Sequence, residues 1–568
     1  MSTSRHIDSI CIIAIIAALA VTVLFMNGEA LGLKSIEKAE DGYFSAADYD
    51  TALPEAVCRI TLSDKSSTVN GSGAYAEGDT IHIVYAGAYY LSGSLSDGCI
   101  IIDADGDDDI RLFFDGVNIS SSDGAALYIK QAKKTVVTLC EGSVNSLSCG
   151  EISQSAGKEG IDGAVFSRDD LTFNGSGSLR VESSSAHGIV CNDSLVITGG
   201  TFGVNAADDA FHAHDLIAIK DAAITVKAGD DALHADNDEG TGEFFIESGS
   251  VDITECYEGI EAHTVTVNGG RITVNSTDDG INACGNSSAA INIHGGEIRI
   301  LNGNGRDADG LDSNGDINID GGFTFISLTS TGTNSALDYG SENGGECVIC
   351  GGTVIACGAG GMAEGFSQNS EQGFVMWNTE NPVPDETELK LLSADGEILV
   401  CETIPYSFSN AVISAPGMSV GDTVTLTAGE NTETVTIDNS SSSSGAFPGM
   451  NPGFGGKQNG EFGGEGRGGF GGGFEQGNGQ PPEKPNGEMP SMPEMQGGEP
   501  PQRPDGEMPS MPDMQNDEAR QRTENGEFNT FEQPGDTEPK TVIDKTTVII
   551  LLAAIAVLLA GLAFAVIF

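Results

Sequence analysis

Short stretches of alternating apolar and polar residues recur through the middle of this chain and predict a β-solenoid. Each stretch ends at a pair of small residues, often Gly-Gly, and a second apolar stretch follows the pair. Strand side chains alternate between two faces, so the stretches can be aligned into columns. The three apolar columns are Leu195, Ile217, Phe244, Val265, Ile291, Ile317 and Cys347; Ile197, Ile219, Ile246, Val267, Ile293, Ile319 and Ile349; and Phe202, Ile224, Val251, Ile272, Ile298, Thr324 and Val354. Columns that stay apolar in successive repeats predict one continuous core along a stack of coils.

A second recurring unit lies between these stretches and consists of an acidic residue, a small residue and a large apolar residue. One example is Asp278-Asp279-Gly280-Ile281-Asn282. These acidic steps lie roughly 20 to 30 residues apart, which is typical of solenoids. Their apolar members form a fourth column: Phe211, Leu233, Ile260, Ile281, Leu311 and Leu337. About three short strands per repeat predict an all-β, single-stranded parallel β-helix, with the right-handed winding that parallel crossovers favour.

The regions outside the repeats predict an exported, membrane-anchored protein. We expect a signal peptide or signal-anchor over residues 1–30, because an uncharged apolar run follows Arg5 there. The β-helix is expected over 45–365 and closing coils or a small β-structure over 366–439. The segment 440–545 is rich in Ser, Gly, Pro and Met, and its composition predicts a disordered stalk.

The last segment, 546–568, is apolar and long enough for a transmembrane helix. Together, the two apolar terminal segments and the stalk predict that the β-helix is held at the cell surface. The partners expected from this organisation are the membrane, through the terminal helix, and a polymer outside the cell.

Charge and cysteine content narrow the possible functions. Asp and Glu number 84 against 26 Lys and Arg, giving a formal net charge of −58. Such a chain repels nucleic acid and attracts cations. The 12 cysteines are scattered and imply no disulfide framework. Cys347 and Cys350 form a CxxC motif, but the strand pattern places them on opposite faces, which argues against a redox or zinc site there.

The acidic steps place like charges on neighbouring coils, which predicts a bound counterion. Coils of a parallel β-helix stack about 4.8 Å apart, where each carboxylate pair would cost about 1–4 kcal/mol. This cost requires either a cation or raised pKa values. Oxygen-rich clusters suit Ca²⁺, which takes six to eight oxygen ligands, so several Ca²⁺ ions are expected. The predicted metal ligands are Asp208, Asp209, Asp230, Asp231, Glu258, Glu261, Asp278, Asp279, Asp309 and Asp312.

Two other interpretations of the acidic steps are compatible with the sequence. The carboxylates can form a solvated acidic face that binds no metal. A transition metal is the other alternative, since imidazole suits zinc, nickel or copper. The histidines that support it are His212, His214, His234 and His263.

Several segments resemble a family of bacterial exported carbohydrate-binding β-helix proteins. They are the run from Asp162 to Gly177, Gly188-Ile189-Val190, the run from Leu195 to Gly200, and the Asp-Asp-Gly-Ile steps. The resemblance covers about Ile60 to Asp438. That family is related in fold to the family 9 pectate lyases. The resemblance implies binding of cellulose and polygalacturonate, with calcium in the coils.

Three functions are therefore considered. The first is a non-catalytic, calcium-dependent polysaccharide-binding protein. The absence of a flat aromatic strip favours an anionic glycan such as polygalacturonate over cellulose. Tyr257 and Tyr339 lie in acidic steps and are candidate sugar platforms, with ordinary packing at the rim as the alternative.

The second candidate function is a calcium-dependent polysaccharide lyase, in which a Lys or Arg acts as the base. The candidate bases are Lys220, Arg271, Arg299 and Arg306. The third is a structural adhesin or spacer.

Overall fold

The computed structural model describes residues 42–439, except 154–155, 158, 238–239, 304–307 and 332–334. The predicted signal or anchor segment, the stalk and the terminal membrane helix lie outside these residues. Within the described part, no helix combines the length and the apolar character needed to cross a membrane.

Three short strands form each coil, and the coils stack in parallel into a solenoid of about ten turns. The strands are β1 (Cys58–Leu62), β2 (Thr68–Asn70), β3 (Ala74–Glu77), β4 (Thr80–Ile83), β5 (Gly87–Leu95), β6 (Cys99–Asp103), β7 (Asp109–Ser121), β8 (Leu127–Gln131), β9 (Lys134–Leu139), β10 (Val144–Cys149), β11 (Gly163–Ser167), β12 (Asp170–Gly175), β13 (Ser178–Ser183), β14 (His187–Cys191), β15 (Ser194–Ile197), β16 (Thr201–Ala206), β17 (Phe211–Ala213), β18 (Leu216–Ile219), β19 (Ala222–Lys227), β20 (Leu233–Ala235), β21 (Glu243–Ile246), β22 (Gly249–Cys256), β23 (Ile260–Ala262), β24 (Thr264–Val267), β25 (Arg271–Ser276), β26 (Ile281–Ala283), β27 (Ala290–Ile293), β28 (Glu297–Asn302), β29 (Leu311–Ser313), β30 (Asp316–Ile319), β31 (Phe323–Leu328), β32 (Leu337–Tyr339), β33 (Cys347–Ile349), β34 (Thr353–Gly358), β35 (Phe374–Val383), β36 (Thr387–Ser393), β37 (Ile398–Ile404), β38 (Phe408–Ser414), β39 (Thr423–Ala428) and β40 (Asn431–Thr436). Two short 3₁₀ turns, Ala46–Tyr49 and Ser341–Asn343, accompany them.

Each coil contributes one strand to a 12-stranded sheet and two strands to a 24-stranded sheet. In the 12-stranded sheet, β17, β20, β23, β26, β29 and β32 follow one another and carry the acidic steps. We call this side of the solenoid the ladder face. The all-β parallel solenoid is thus confirmed, while the direction in which the coils wind stays a prediction from the sequence.

The strand register confirms the apolar columns. Leu195, Ile217 and Phe244 are direct partners on successive coils, and the pairing continues through Cys347. The columns that contain Ile197 and Phe202 pair in the same way. All three columns are buried in one continuous core. Cys347 is buried and Cys350 is exposed, so the two cysteines do point to opposite faces.

Thr324 interrupts one apolar column and leads to a prediction about stability. Its hydroxyl is buried and has no hydrogen-bond partner among the described residues. We expect Thr324→Val to raise the free energy of unfolding by about 1 kcal/mol, because an unpaired buried hydroxyl is replaced by a methyl group of similar size. Urea unfolding measures the change. The control is Thr201→Val, at an exposed position, which should change stability by less than about 0.5 kcal/mol. A loss of stability in the Thr324 variant would contradict the prediction.

Glycine pairs at the corners allow the coils to approach closely. Gly296 has a φ of +83°, a conformation that other residues rarely adopt. A Cβ atom at this position would lie 2.8 Å from the carbonyl oxygen of Gly270 on the preceding coil. The Gly-Gly pairs of the sequence are therefore required by the stacking distance.

A segment that precedes the first strand packs across the 24-stranded sheet. Tyr43 stacks on Phe245 with 4.0 Å between ring centroids. Asp48 is 1% exposed, forms an ion pair with Lys134 at 2.7 Å and accepts a hydrogen bond from the Thr172 hydroxyl at 2.6 Å. Burial alone would raise the pKa of Asp48, but the hydrogen bonds from Lys134 and Thr172 lower it below its usual value.

We expect Asp48→Ala to lower the free energy of unfolding by about 3 kcal/mol, because Lys134 would stay largely buried without its partner. Asp50→Ala is the matched control. Asp50 pairs with Arg111 at the surface, where loss of the ion pair should cost less than about 1 kcal/mol. Equal effects of the two substitutions, measured by urea unfolding, would show that Asp48 does not anchor this segment.

Antiparallel strands close the solenoid after its last coil. Strand β34 pairs with β38, which in turn pairs with β35. A four-stranded antiparallel sheet in the order β37-β36-β39-β40 follows and helps to form a second core that includes Trp377, Leu391 and Leu426. The last parallel strand edge is thereby paired within the chain, which protects it from pairing with other molecules.

Candidate metal centre

The ladder face carries two columns of polar side chains whose alignment agrees with the sequence prediction. The outer column contains His212, His234, Glu261, Asn282, Asp312 and Asp338, which pair directly from coil to coil. The inner column lies two residues before the fourth apolar column and contains His187, Asp209, Asp231, Glu258, Asp279 and Asp309. The acidic residues at the bends of successive coils are thus brought to one face.

Side chains of the inner column hold the backbone of the next coil. The amide N–H of Asp231 donates to Oδ1 of Asp209 at 3.0 Å, and the amide of Glu258 donates to Oδ1 of Asp231 at 3.1 Å. In the same way, the amide of Asp309 donates to Oδ1 of Asp279 at 2.7 Å. These amides lie at a bend, where strand pairing does not satisfy them. One oxygen of each of these aspartates is therefore structural, and the other remains for a further partner.

His187 begins the inner column and was missed at the level of sequence. Its Nδ1 atom accepts the amide N–H of Asp209 at 3.1 Å, the same role that the aspartates have on later coils. The signal was present in the run Ala186-His187-Gly188-Ile189, which repeats the acidic step with histidine in place of the acid. A pattern defined by acidic residues alone does not include it.

The first part of the ladder is rich in histidine and balanced in charge. Oδ2 of Asp209 lies 3.3 Å from Nδ1 of His187, 2.9 Å from Nδ1 of His212 and 3.4 Å from Nδ1 of His234. Burial would raise the pKa of Asp209, but the three histidines hold it far below its usual range. Burial would lower the pKa of His212, but Asp209 and Asp236 raise it to about 10.

The second part of the ladder is acidic and poorly compensated. Carboxylate oxygens of Asp231, Glu258 and Glu261 lie within 4.8 Å of one another. Burial, followed by the charge of Glu258, raises the pKa of Asp231 to about 9. Burial and the charge of Glu261 raise the pKa of Glu258 to about 7. These shifts show that the fold disfavours negative charge at this point unless a cation is added.

The same imbalance continues on the next coils. Burial is the main cause of a pKa of about 9 for Asp279, and Asp312 adds to it. Burial and the charge of Asp338 raise the pKa of Asp312 to about 6. No described lysine or arginine forms an ion pair with Glu258, Asp279 or Asp312. His234 lies nearby, 3.4 Å from Glu261 and 3.5 Å from Asp231.

The other predicted ligands lie at the edge of the ladder. Asp208 and Asp230 are more exposed, and their oxygens lie within 4.8 Å of an oxygen of Asp209. Asp278 is partly buried and accepts a hydrogen bond from the hydroxyl of Tyr257, which raises the pKa of that tyrosine. The donors along the acidic part are carboxylate oxygens, the type of ligand that hard divalent cations prefer.

The two candidate sugar platforms have different surroundings. The ring of Tyr257 is 47% exposed beside the acidic part. Tyr339 is partly buried and packs against the main core. Of the two candidates, Tyr257 has the exposed ring, whereas the geometry of Tyr339 is that of a packing residue.

The candidate lyase bases that the structure describes are associated with the 24-stranded sheet. Lys220, which follows β18, lies over the rings of Phe44 and Tyr49. Arg299 of β28 pairs with Glu297 and Glu402. Arg271 is exposed on β25. Arg306 lies outside the described residues. A base positioned beside the ladder is therefore not found among the three that are described.

The fold and the ladder define the class of protein, which is a parallel β-solenoid with a column of buried carboxylates on one face. A sequence model of the family described as "Carbohydrate-binding domain-containing protein" matches residues 77–431, more than half of the chain. The chain belongs to this family, which confirms the resemblance seen in the sequence. The description of the family names carbohydrate binding and no catalytic activity, in agreement with the expectation of a non-catalytic protein.

Two known proteins are similar to parts of the chain. A carbohydrate-binding domain-containing protein of Acetivibrio thermocellus is 33% identical over 146 residues, 25% of this chain and 51% of the relative. The match thus spans about half the length of that relative. A solved structure, a polysaccharide lyase-like protein from C. thermocellum in a gadolinium derivative, is 23% identical with a TM-score of 0.33 and covers 45% of this chain and 96% of that one.

Proposed function

We propose that this protein binds anionic polysaccharide at the cell surface through Ca²⁺ ions held on the ladder face. The observation that carries the proposal is the triad Asp231, Glu258 and Glu261, whose oxygens lie within 4.8 Å of one another without a lysine or arginine partner among the described residues. Membership of a carbohydrate-binding family supports the polysaccharide as partner. The exported location and the membrane anchor rest on the terminal segments of the sequence.

Ca²⁺ would be held at two places on the acidic part. One is the triad itself, where three carboxylates meet. The other is formed by Asp279, Asp309 and Asp312, since Asp279 and Asp312 are near enough to share a hydrogen bond. At both places Oδ1 of an aspartate already accepts an amide of the next coil, so Oδ2 is the atom that would face the ion. Oδ2 of Asp231 also lies 3.5 Å from Nδ1 of His234. The ions would replace the protons that the raised pKa values otherwise retain.

A cation is also required for an anionic glycan to approach this face. The net charge of −58 repels a uronic polymer, and a bridging Ca²⁺ changes the local sign. The exposed ring of Tyr257 lies beside these carboxylates and would supply a stacking surface for a sugar ring. Polygalacturonate fits this combination better than cellulose, because cellulose carries no carboxylate.

The test is a pull-down with insoluble polygalacturonate in Ca²⁺ and in chelator. We expect retention in Ca²⁺ and loss in chelator. Retention of Glu258→Gln should be at least about tenfold weaker, because a direct ligand should matter at least as much as an outer partner, whose loss typically costs about 10–100-fold in metal affinity. Asp395→Asn, in the exposed turn between β36 and β37, removes one charge elsewhere and should bind normally. Retention that is equal in Ca²⁺ and in chelator would contradict the proposal, and release of unsaturated sugars absorbing in the ultraviolet would favour the lyase.

A further inference from the structure

We propose that the histidine-rich end of the ladder is a separate centre for a borderline divalent transition metal such as Zn²⁺, bound by Asp209, His187 and His212, whose ligand atoms all lie within 4.8 Å of one another. This proposal does not depend on the calcium proposal, because its donors are mainly nitrogens and belong to the earlier coils. Four of the eight histidines of the chain lie at this end, counting His214, whose ring centroid is 6.1 Å from that of His212.

The three imidazoles converge on one oxygen atom. Oδ1 of Asp209 is occupied by the amide of Asp231, so Oδ2 is the oxygen that faces the histidines. The three Nδ1 atoms lie 3.3, 2.9 and 3.4 Å from Oδ2. Zinc is bound by nitrogen and oxygen at about 2.0–2.1 Å, which separates the ligands of a tetrahedral site by about 3.3 Å. The separations of 3.3 and 2.9 Å for His187 and His212 match ligand atoms around one such ion, and these two histidines form one group with Asp209. His234 groups instead with Asp209 and Asp231.

A second carboxylate lies near the Nε2 atom of each imidazole. Nε2 of His187 lies 3.6 Å from Asp208, Nε2 of His212 lies 3.3 Å from Asp236, and Nε2 of His234 lies 3.4 Å from Glu261. Histidines that bind metals typically donate their other N–H to a carboxylate, which fixes the ring and increases the basicity of the ligating nitrogen. Both histidines of the proposed centre therefore have the outer carboxylate that is typical of metal-binding histidines.

Metal binding would break a hydrogen bond at one histidine and not at the other. Nδ1 of His187 accepts the amide N–H of Asp209, and an ion bound to this nitrogen would release that hydrogen bond. His212 is the nearest of the three imidazoles to Oδ2, and no backbone amide of the described residues donates to its Nδ1 atom. We therefore expect His212 to contribute more to the affinity than His187. Calcium, which prefers oxygen ligands, should compete poorly at this end.

The experiment uses Co²⁺ as a spectroscopic probe for Zn²⁺ on the full chain in excess Ca²⁺. We expect about one Co²⁺ per chain, with the visible absorption bands of a site with four or five ligands, and displacement of Co²⁺ by Zn²⁺. His212→Gln should lower the affinity at least tenfold, His187→Gln less, and Asp236→Asn roughly tenfold as an outer partner. His263→Gln is the control, since its ring nitrogens contact Cys284 and Ser288 instead.

Two outcomes would overturn the proposal. One is an absence of Co²⁺ bands in the wild-type chain; the other is a set of bands that His212→Gln leaves unchanged. If His212→Gln fails to fold, Asp209→Asn decides, because the asparagine oxygen still accepts the amide of Asp231 while the charged ligand is lost. Co²⁺ bands that persist in Asp279→Asn would separate this centre from the calcium array, which gives no visible absorption.

Discussion

Replacing Asp279 by asparagine should make the metal-free protein more stable and the calcium-loaded protein less stable than wild type. The asparagine Oδ1 still accepts the amide of Asp309, but the side chain no longer has to take up a proton on folding to avoid the charges of Asp312 and Glu258. We expect a gain of about 2 kcal/mol in chelator, the scale of one like-charge contact between coils. In Ca²⁺ the variant should lose about 3 kcal/mol, the stabilisation that a tightly held ion supplies.

Asp279→Ala separates the two roles of this side chain. It removes both the charge and the hydrogen bond to the next coil, so it should destabilise the protein in Ca²⁺ and gain less than Asp279→Asn in chelator. Asp395→Asn controls for the change in net charge. The measurement is urea unfolding of all variants in both conditions. If Asp279→Asn loses the same stability with and without Ca²⁺, the carboxylate is structural only and does not hold a cation.

The metal-free protein should lose stability steadily as the pH rises from about 5 to about 9, whereas Ca²⁺ should flatten much of this dependence. Asp231 and Asp279 have pKa values of about 9 in the folded chain, and Glu258 has one of about 7. In the unfolded chain these groups ionise near pH 4, so the unfolded state binds fewer protons across this window. Stability therefore falls with rising pH.

The histidines also make the folded protein less stable as the pH rises. The raised pKa of His212, about 10, contributes stability that is complete below pH 6.5 and is lost as the pH rises through 10. The lowered pKa of Asp209 acts only below about pH 4, outside the window. Bound Ca²⁺ takes the place of the carboxylate protons and leaves only the histidine part. Unfolding at pH 5, 7 and 9, in chelator and in Ca²⁺, measures both curves. Metal-free stability that rises with pH would show that the ladder carboxylates are compensated within the fold.

Much of the fold could be predicted because the solenoid repeats the same physical constraint in each coil. Leu195 and its partners are apolar since every coil presents that position to the core, and small residues such as Gly280 precede the fourth column since a side chain there would contact the next backbone. Thr324 departs from the pattern, but the other coils still fix its alignment. The antiparallel closure by β34, β38 and β35 has no period and could not be derived in this way.

The site was predictable in position but not in its chemistry. The sequence aligned the carboxylates correctly, yet it could not show that Oδ1 of Asp209 or Asp279 is used by the next amide, since backbone hydrogen bonds at bends leave no pattern in the sequence. The sequence also could not show that the first part of the ladder is balanced in charge whereas the second part is acidic. That division depends on His187, which occupies a position of the ladder without an acidic side chain.

The most direct test of the calcium proposal is calorimetric titration of the metal-free chain with Ca²⁺, compared with the double variant Glu258→Gln and Asp279→Asn. We predict at least two bound ions in the wild-type chain, consistent with one at each of the two carboxylate groups, and loss of both in the double variant with the fold retained. Binding of no Ca²⁺ by the folded wild-type chain, or equal binding by the double variant, would contradict the assignment of the ladder as a calcium site.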